Sequence, residues 1–321
     1  MSRFHPELRR AAFWLPRLSF GPTLTRLANG LQRWRGTSPP PEIEGVTIRD
    51  EIISGGDGQP LRVRLYLPEA AAQPRAAMLW MHGGGMIIGV PEQDELQNLE
   101  LSRDFGLVIA AVDYRLSPQH PFPAPLEDCY AALAWLQSQA AALNISPDRI
   151  AVGGASAGAG LAAGLALLAQ DRREVALAFQ LLIYPMLDDR TALRTDIDER
   201  RLRLWTTKGN RFGWRSYLAR EPGGGDVSAY AAPARRQDLS GSPPAWIGVG
   251  TCDLFHDEDV SYARRLAEAG APCTLKVVDG AFHGFDLVCQ GVAVARDFRQ
   301  SYYAALCEGL QLQRAERADA A

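Results

Sequence analysis

The chain has 321 residues, a formal net charge of −3, 47% hydrophobic and 22% charged residues, and no run near the roughly 18 apolar residues that a membrane span needs. That balance lacks the basic footprint of a nucleic-acid binder. Its five cysteines, odd in number and without a C-x-x-C pair, argue against both a disulfide framework and a zinc site.

From the amino terminus, MSRFHPELRRAAFWLPRLSFG has arginines but neither a clean apolar core nor a small-residue cleavage site, so no secretory signal is read and a cytoplasmic location is expected. Arg3, Arg9, Arg10, Arg17, Arg26, Arg33 and Arg35 stand against Glu7 alone, with Phe13, Trp14 and Leu15 interleaved. The segment reads as a lid helix over an apolar cleft, with a membrane-surface or transit helix as the alternative. Apolar, β-rich runs then follow at 62–67, 76–81, 107–113, 149–153, 176–182, 245–250 and 274–278. Helical patterns lie between them at 92–104, 125–142, 158–171, 257–269 and 291–309. Strand and helix in alternation predict an α/β fold, a mostly parallel central sheet with helices on both faces. The length suits one domain over 1–321. Residues 1–45 and 188–235 break the alternation and read as lid segments, the second carrying Trp205, Phe212, Trp214 and Tyr217. The run 274–278, last of the strands, is an edge to which a second copy could pair.

Two glycine-rich stretches follow strands. In Gly154-Ala155-Ser156-Ala157-Gly158 a serine sits between the buried run RIAVG and the helical pattern GLAAGLALLAQ. Small residues there serve either tight helix–sheet packing or a sharp strand-to-helix turn that exposes Ser156 as a nucleophile, and the strand–turn–helix context favours the turn. His82-Gly83-Gly84-Gly85 follows the strand at 76–81. Successive glycines leave backbone N–H groups unshielded, as an oxyanion hole built without side chains requires; a plain glycine turn is the alternative.

A serine nucleophile needs a base. His5 lies in the irregular amino terminus, His82 in the glycine loop and His120 in a proline-rich connection, which leaves His256 and His283. His283 is favoured, because it lies in a loop at the carboxyl end of a strand, after TLKVV, where open α/β sheets bind ligands; His256, at a strand-to-helix junction, reads as a surface or capping residue. The orienting acid should lie between the two in the chain. Asp253 stands nearest the end of the strand AWIGVG, whereas Asp257, Glu258 and Asp259 fall in the first turn of the next helix and have a sufficient role as dipole partners.

Taken in order, HGGGMIIG, VDYRLSPQHPFPAPLEDC, GGASAGAG, SGSPPAWIGVGTCDLFHDE and GAFHGFD resemble the hormone-sensitive-lipase-like (bacterial family IV) carboxylesterases of the α/β-hydrolase fold. The resemblance implies Ser156 as nucleophile, Asp253 as acid and His283 as base, with oxyanion N–H groups from Gly84, Gly85 and Ala157 and a structural role for His82. It implies hydrolysis of short- to medium-chain acyl esters through an acyl-enzyme, without metal or organic cofactor, and a tendency to dimerise. Two departures stand out. Ala155 replaces the family's usual Asp before the nucleophile, and Leu254-Phe255 replaces Pro-Leu after the acid. The first removes a charge that would support the glycine loop, which bears on rate and acyl preference more than on reaction type. An amidase, formamidase or lactonase on the same residues, or a non-catalytic receptor on this fold, are the competing classes.

Overall fold

A computed structural model describes residues 3–17, 21–35, 43–69 and 73–312. Its strands are β1 (Val46–Ser54), β2 (Pro60–Pro68), β3 (Arg75–Met81), β4 (Val108–Val112), β5 (Ile145–Ala155), β6 (Phe179–Ile183), β7 (Ala245–Cys252) and β8 (Cys273–Phe282). Its α-helices are α1 (Arg9–Trp14), α2 (Pro22–Arg35), α3 (Glu95–Phe105), α4 (Ala124–Ser138), α5 (Ala157–Arg172), α6 (Thr207–Leu218), α7 (His256–Glu268), α8 (Phe285–Val288) and α9 (Ala293–Leu310). The strands form one sheet in the order β1-β2-β4-β3-β5-β6-β7-β8. β1, β2 and β4 pair antiparallel and the rest parallel, the mostly parallel sheet that the alternation predicts.

Period-two alternation splits the sheet's side chains between two cores. Ala77, Leu79 and Met81 of β3 pack with the inner faces of α4, α5 and α7, while Ala76, Met78 and Trp80 pack with those of α3 and α9. β8 is an outer strand, as expected of the last run. β1 is the strand that the apolar runs do not announce. Its sequence VTIRDEIIS alternates with charge because it is an antiparallel outer strand with much of its surface in water.

The helix after β5 is buried along its whole first three turns, from Ala157 to Ala169. Helices are usually apolar along one stripe only; one that is apolar all round must be enclosed. Its glycines set how closely. A Cβ on Gly158 would lie 2.0 Å from the Met81 carbonyl oxygen, one on Gly160 2.2 Å from that of Met186, and one on Gly164 2.3 Å from that of Tyr230. The backbone of β3, the chain after β6, and the 230 region therefore all press on α5 where side chains are missing.

The two segments outside the alternation hold α1, α2 and α6. Among the described residues, no helix is long and apolar enough to cross a membrane.

Beneath β3, Trp80 Nε1 donates to Asp94 Oδ2 at 2.8 Å, and Asp94 is 4% exposed. Burial pushes this carboxyl up to about 6, with the negative field of Asp286 adding to it. A carboxyl whose acid form is favoured by folding contributes fully below the ordinary carboxylate range and loses that contribution as pH rises through about 6. Asp94→Asn keeps an acceptor for Trp80 but cannot ionise. The stability of the variant relative to the parent should therefore rise by about 2–3 kcal/mol between pH 4 and pH 8, measured by urea unfolding at both values. At Gly158, Ala should cost about 2–4 kcal/mol, because the methyl group meets backbone that cannot swing aside; the same unfolding curves report it.

Candidate active site

The residues that matter here occupy one position repeatedly, the first after a strand. Ser156 follows Ala155 of β5, Asp253 follows Cys252 of β7, His283 follows Phe282 of β8 and His82 follows Met81 of β3. All four of these strands run parallel, so the four residues emerge at one edge of the sheet. Strand register does the finer placement. Cys252 pairs with Phe282, which makes Asp253 and His283 neighbours, and Met81 pairs with Gly154, which brings the glycine loop beside the serine turn.

At Ser156 the chain passes from strand to helix with φ 58° and ψ −120°, a conformation that L-residues avoid. Three hydrogen bonds hold it: Ser156 N donates to Ile183 O at 2.8 Å, and Ser156 O accepts from Gly160 N and Met186 N, each at 3.0 Å. The hydroxyl Oγ lies 2.9 Å from His283 Nε2. His283 Nδ1 lies 2.8 Å from Asp253 Oδ2, and Asp253 Oδ1 accepts from Phe255 N at 3.0 Å. The Asp253 side chain is fully buried and that of His283 is 11% exposed, so this chain of contacts is largely shielded from water.

The imidazole is also held from its sides. Phe255 meets it edge-on at 5.3 Å between centroids, and Tyr184 does so at 4.7 Å. Tyr184 follows β6 directly, so the sheet supplies this ring from the strand between β5 and β7. Its hydroxyl donates to Asp286 Oδ1 at 3.0 Å, and burial pushes the Asp286 carboxyl up to about 6. No motif marks Tyr184 in the sequence; its place at the end of an apolar run is the signal that could have found it.

Gly84, at φ 122°, and Gly85, at φ 62°, carry the glycine loop past the serine, and a Cβ on Gly83 would lie 3.5 Å from Ser156 Cβ. Among the described residues, the N–H groups of Gly84, Gly85 and Ala157 donate to no other protein group. Two donors of the glycine loop and one at the start of α5 are thus unspent. The loop itself is braced without an acid at 155. His82 Nδ1 contacts Gly83 O at 2.8 Å and Gln93 Nε2 donates to Gly83 O at 3.3 Å. Ser117 N donates to Met86 O at 2.8 Å and Asn29 Nδ2 of α2 to Ile87 O at 2.9 Å. His82 is buried and stacked on Tyr114, 4.3 Å between centroids. Burial lowers its pKa and keeps it neutral.

The other sequence candidates lie elsewhere. His256 opens α7 and pairs with Asp257 at 2.8 Å, and His120 is exposed in the loop before α4. Of the three acids at 257–259, Asp257 does pair at the helix start, with Arg194 at 2.6 Å. Glu258 does more than face the helix dipole: it is buried and accepts from Leu187 N at 2.7 Å, Asp188 N at 3.1 Å and the Thr191 hydroxyl. Asp259 is fully buried with neither carboxyl oxygen hydrogen-bonded among the described residues, and burial drives it toward the neutral acid.

The aromatic residues of the two lid segments divide. Trp205 lies against the glycine loop, its ring so close to Gly85 that a Cβ there would meet Cη2 at 2.1 Å. Leu204, at φ 64°, reaches Gly284 beside the histidine, 3.4 Å from where a Cβ would stand. Leu204 and Trp205 therefore bridge the glycine and histidine loops. Trp214 is buried inside α6 packing and Phe212 borders a cleft of about 500 Å³ between α2 and α6. Phe13 and Trp14, in the segment read as a lid helix over an apolar cleft, instead point to solvent at 78% and 77% exposure; α1 is too short to bury both an inner face and these two rings. Among the described residues, no group of three or more His, Cys, Asp or Glu could hold a metal ion.

A family model described as the alpha/beta hydrolase fold matches residues 78–287. The chain is 34% identical over 241 residues to an ethyl acetate hydrolase of Pseudomonas putida, covering 74% of this chain and 75% of that one. It is 33% identical over 265 residues to carboxylesterase NlhH of Mycobacterium tuberculosis, covering 79% and 80%. Among solved structures it superposes on a bacterial heroin esterase with a TM-score of 0.88 at 37% identity, covering 96% of this chain and 98% of that one. With a sheet, a serine turn and a glycine loop of this kind already in place, these similarities make the chain a member of the alpha/beta hydrolase fold family, in its hormone-sensitive-lipase-like branch of carboxylic ester hydrolases.

Proposed function

We propose that this enzyme hydrolyses small-molecule esters of short- to medium-chain acids, with Ser156 as nucleophile, His283 as general base and Asp253 as the acid that orients it. The observation that carries the reading is the unbroken path from Ser156 Oγ to His283 Nε2, 2.9 Å, and from His283 Nδ1 to Asp253 Oδ2, 2.8 Å. His283 takes the hydroxyl proton as Oγ attacks the ester carbonyl, and Asp253 stabilises the imidazolium without itself accepting the proton. The unspent N–H groups of Gly84, Gly85 and Ala157 receive the oxyanion, each worth about 3–4 kcal/mol in the transition state. His283 then returns the proton to the leaving alcohol and activates the water that releases the acid. Segments 1–45 and 188–235 act as the lid over a single domain, as far as their residues are described.

The place of Trp205 supports the short end of the acyl range. Its ring fills the space above Gly85, beside the donors that would hold the carbonyl oxygen, and one relative is named for ethyl acetate.

Incubation with an organophosphate followed by peptide mass spectrometry should label Ser156, and Ser156→Ala should abolish labelling and lower kcat on p-nitrophenyl butyrate by about 10⁴-fold or more. A label on another serine sinks the assignment. Replacing Trp205 by Ala, or by Leu should Ala unfold the lid, is expected to raise the octanoate-to-acetate ratio of kcat/KM about tenfold or more, the worth of roughly two further buried methylenes. An unchanged ratio in a folded variant removes Trp205 from the control of chain length.

A further inference from the structure

The N-terminal helices present the wrong face to water. In α2 the residues turned toward the protein are Thr25, Ala28 and Asn29, whereas Leu24, Leu27 and Leu31 are 42%, 67% and 52% exposed. Spaced three and four apart, the leucines form one stripe on the helix. A helix that buries small and polar side chains and exposes its leucines has its apolar side meant for something else. Phe13 and Trp14, at the end of α1, add two large rings at 78% and 77% exposure. Five of the large apolar side chains that this chain leaves in water thus belong to its first two α-helices, where scattered single residues would be the ordinary case.

The same stretch is cationic. Arg9, Arg10, Arg17 and Arg26 are exposed, and from residue 3 to residue 35 Glu7 is the only acid in a chain whose net charge is −3. Glu7 is itself engaged, its carboxylate accepting from Val294 N at 2.8 Å. Pairing of this face with the same face of a second copy would set arginines against arginines. An anionic surface that also accepts apolar side chains satisfies both properties at once.

Both helices are fastened to the rim of the catalytic centre. Pro16 O accepts from Leu204 N at 3.1 Å and Ala12 O accepts from Arg203, next to Trp205 on the glycine loop. Asn29 reaches the far end of that loop through Ile87 O.

We propose that α1, α2 and their arginines form a docking face for an anionic lipid surface, which would hold the mouth of the enzyme against the bilayer or micelle. Leucines and the two rings enter the interfacial region while the arginines meet the headgroups, the arrangement of an interfacial amphipathic helix. This does not depend on the esterase reading, because its readout is binding to lipid.

The test uses the full chain and vesicles of phosphatidylglycerol or phosphatidylcholine, with bound protein read by flotation. The parent should bind phosphatidylglycerol at least about tenfold better than phosphatidylcholine and be released by salt. Leu24→Gln, Leu27→Gln and Leu31→Gln combined should weaken binding to phosphatidylglycerol by about tenfold or more. Arg9→Gln, Arg10→Gln and Arg17→Gln combined should remove the preference between the two lipids. Circular dichroism melts establish that each variant folds; should the leucine triple fail to fold, Leu27→Gln with Trp14→Gln takes its place. Absence of binding by the parent, or equal binding by a folded leucine variant, overturns the proposal. So does a dimer in sedimentation equilibrium that the leucine substitutions dissolve, which would make the face an interface between copies.

Discussion

At Ser156 the backbone leaves β5 and enters α5 through φ 58° and ψ −120°, a conformation that costs a residue with a Cβ about 1–3 kcal/mol and persists only where its surroundings impose it. The surroundings here are backbone. Ile183 O takes the amide proton, the carbonyl accepts from two amides, and glycine at 154 and 158 allows the helix start to lie against β3 at distances that no Cβ permits. The small residues around the serine therefore serve both packing and exposure of the hydroxyl. Gly154 and Gly158 clear the turn; Gly160 and Gly164, about one and two turns into the helix, admit the chain after β6 and the 230 region. Tight packing of α5 is what makes the strained turn affordable, because the helix cannot rotate to relieve it.

From that fixed point the rest of the candidate site follows by strand pairing. A parallel sheet delivers the first residue after each strand to one edge, and register decides which of these meet. Cys252 opposite Phe282 makes the acid and the histidine adjacent without any long side-chain reach. The histidine must still span from β8 to β5, and the rings of Tyr184 and Phe255 wall the space across which it does so. Burial of Asp253 beside it strengthens their interaction, since little water competes for either group.

Much of this geometry can be read from the chain. Each strand that packs on both faces shows as an apolar run, and serine, acid and histidine each stand a few residues beyond such a run, the first residue after the strand that it becomes. β1 escapes that reading because an outer antiparallel strand with Arg49, Asp50 and Glu51 in its centre has no apolar run to show. Glu258 looks like an ordinary first-turn acid until the chain at 187–191 folds back onto it. Trp205 is visible as an aromatic in an insertion, but its seat on Gly85 depends on the left-handed turn at Leu204 and on hydrogen bonds to residues 12 and 16. Such contacts join pieces nearly two hundred residues apart and leave no periodicity behind.

Ala155 brings these threads together. An acid before Ser156 would sit at the end of β5, in the angle between the serine turn and the glycine loop. Here that position is a methyl group at 5% exposure in the core with Trp80 and Tyr184. The loop is braced by His82, Gln93, the amide of Ser117 and Asn29. Two of these groups are neutral side chains that meet Gly83, and a third comes from α2. Rigidity of the glycine loop thus depends in part on a helix of the N-terminal segment rather than on the sheet alone. Whatever draws α2 toward or away from the body of the enzyme acts on the glycine loop through the hydrogen bond from Asn29 to Ile87 O.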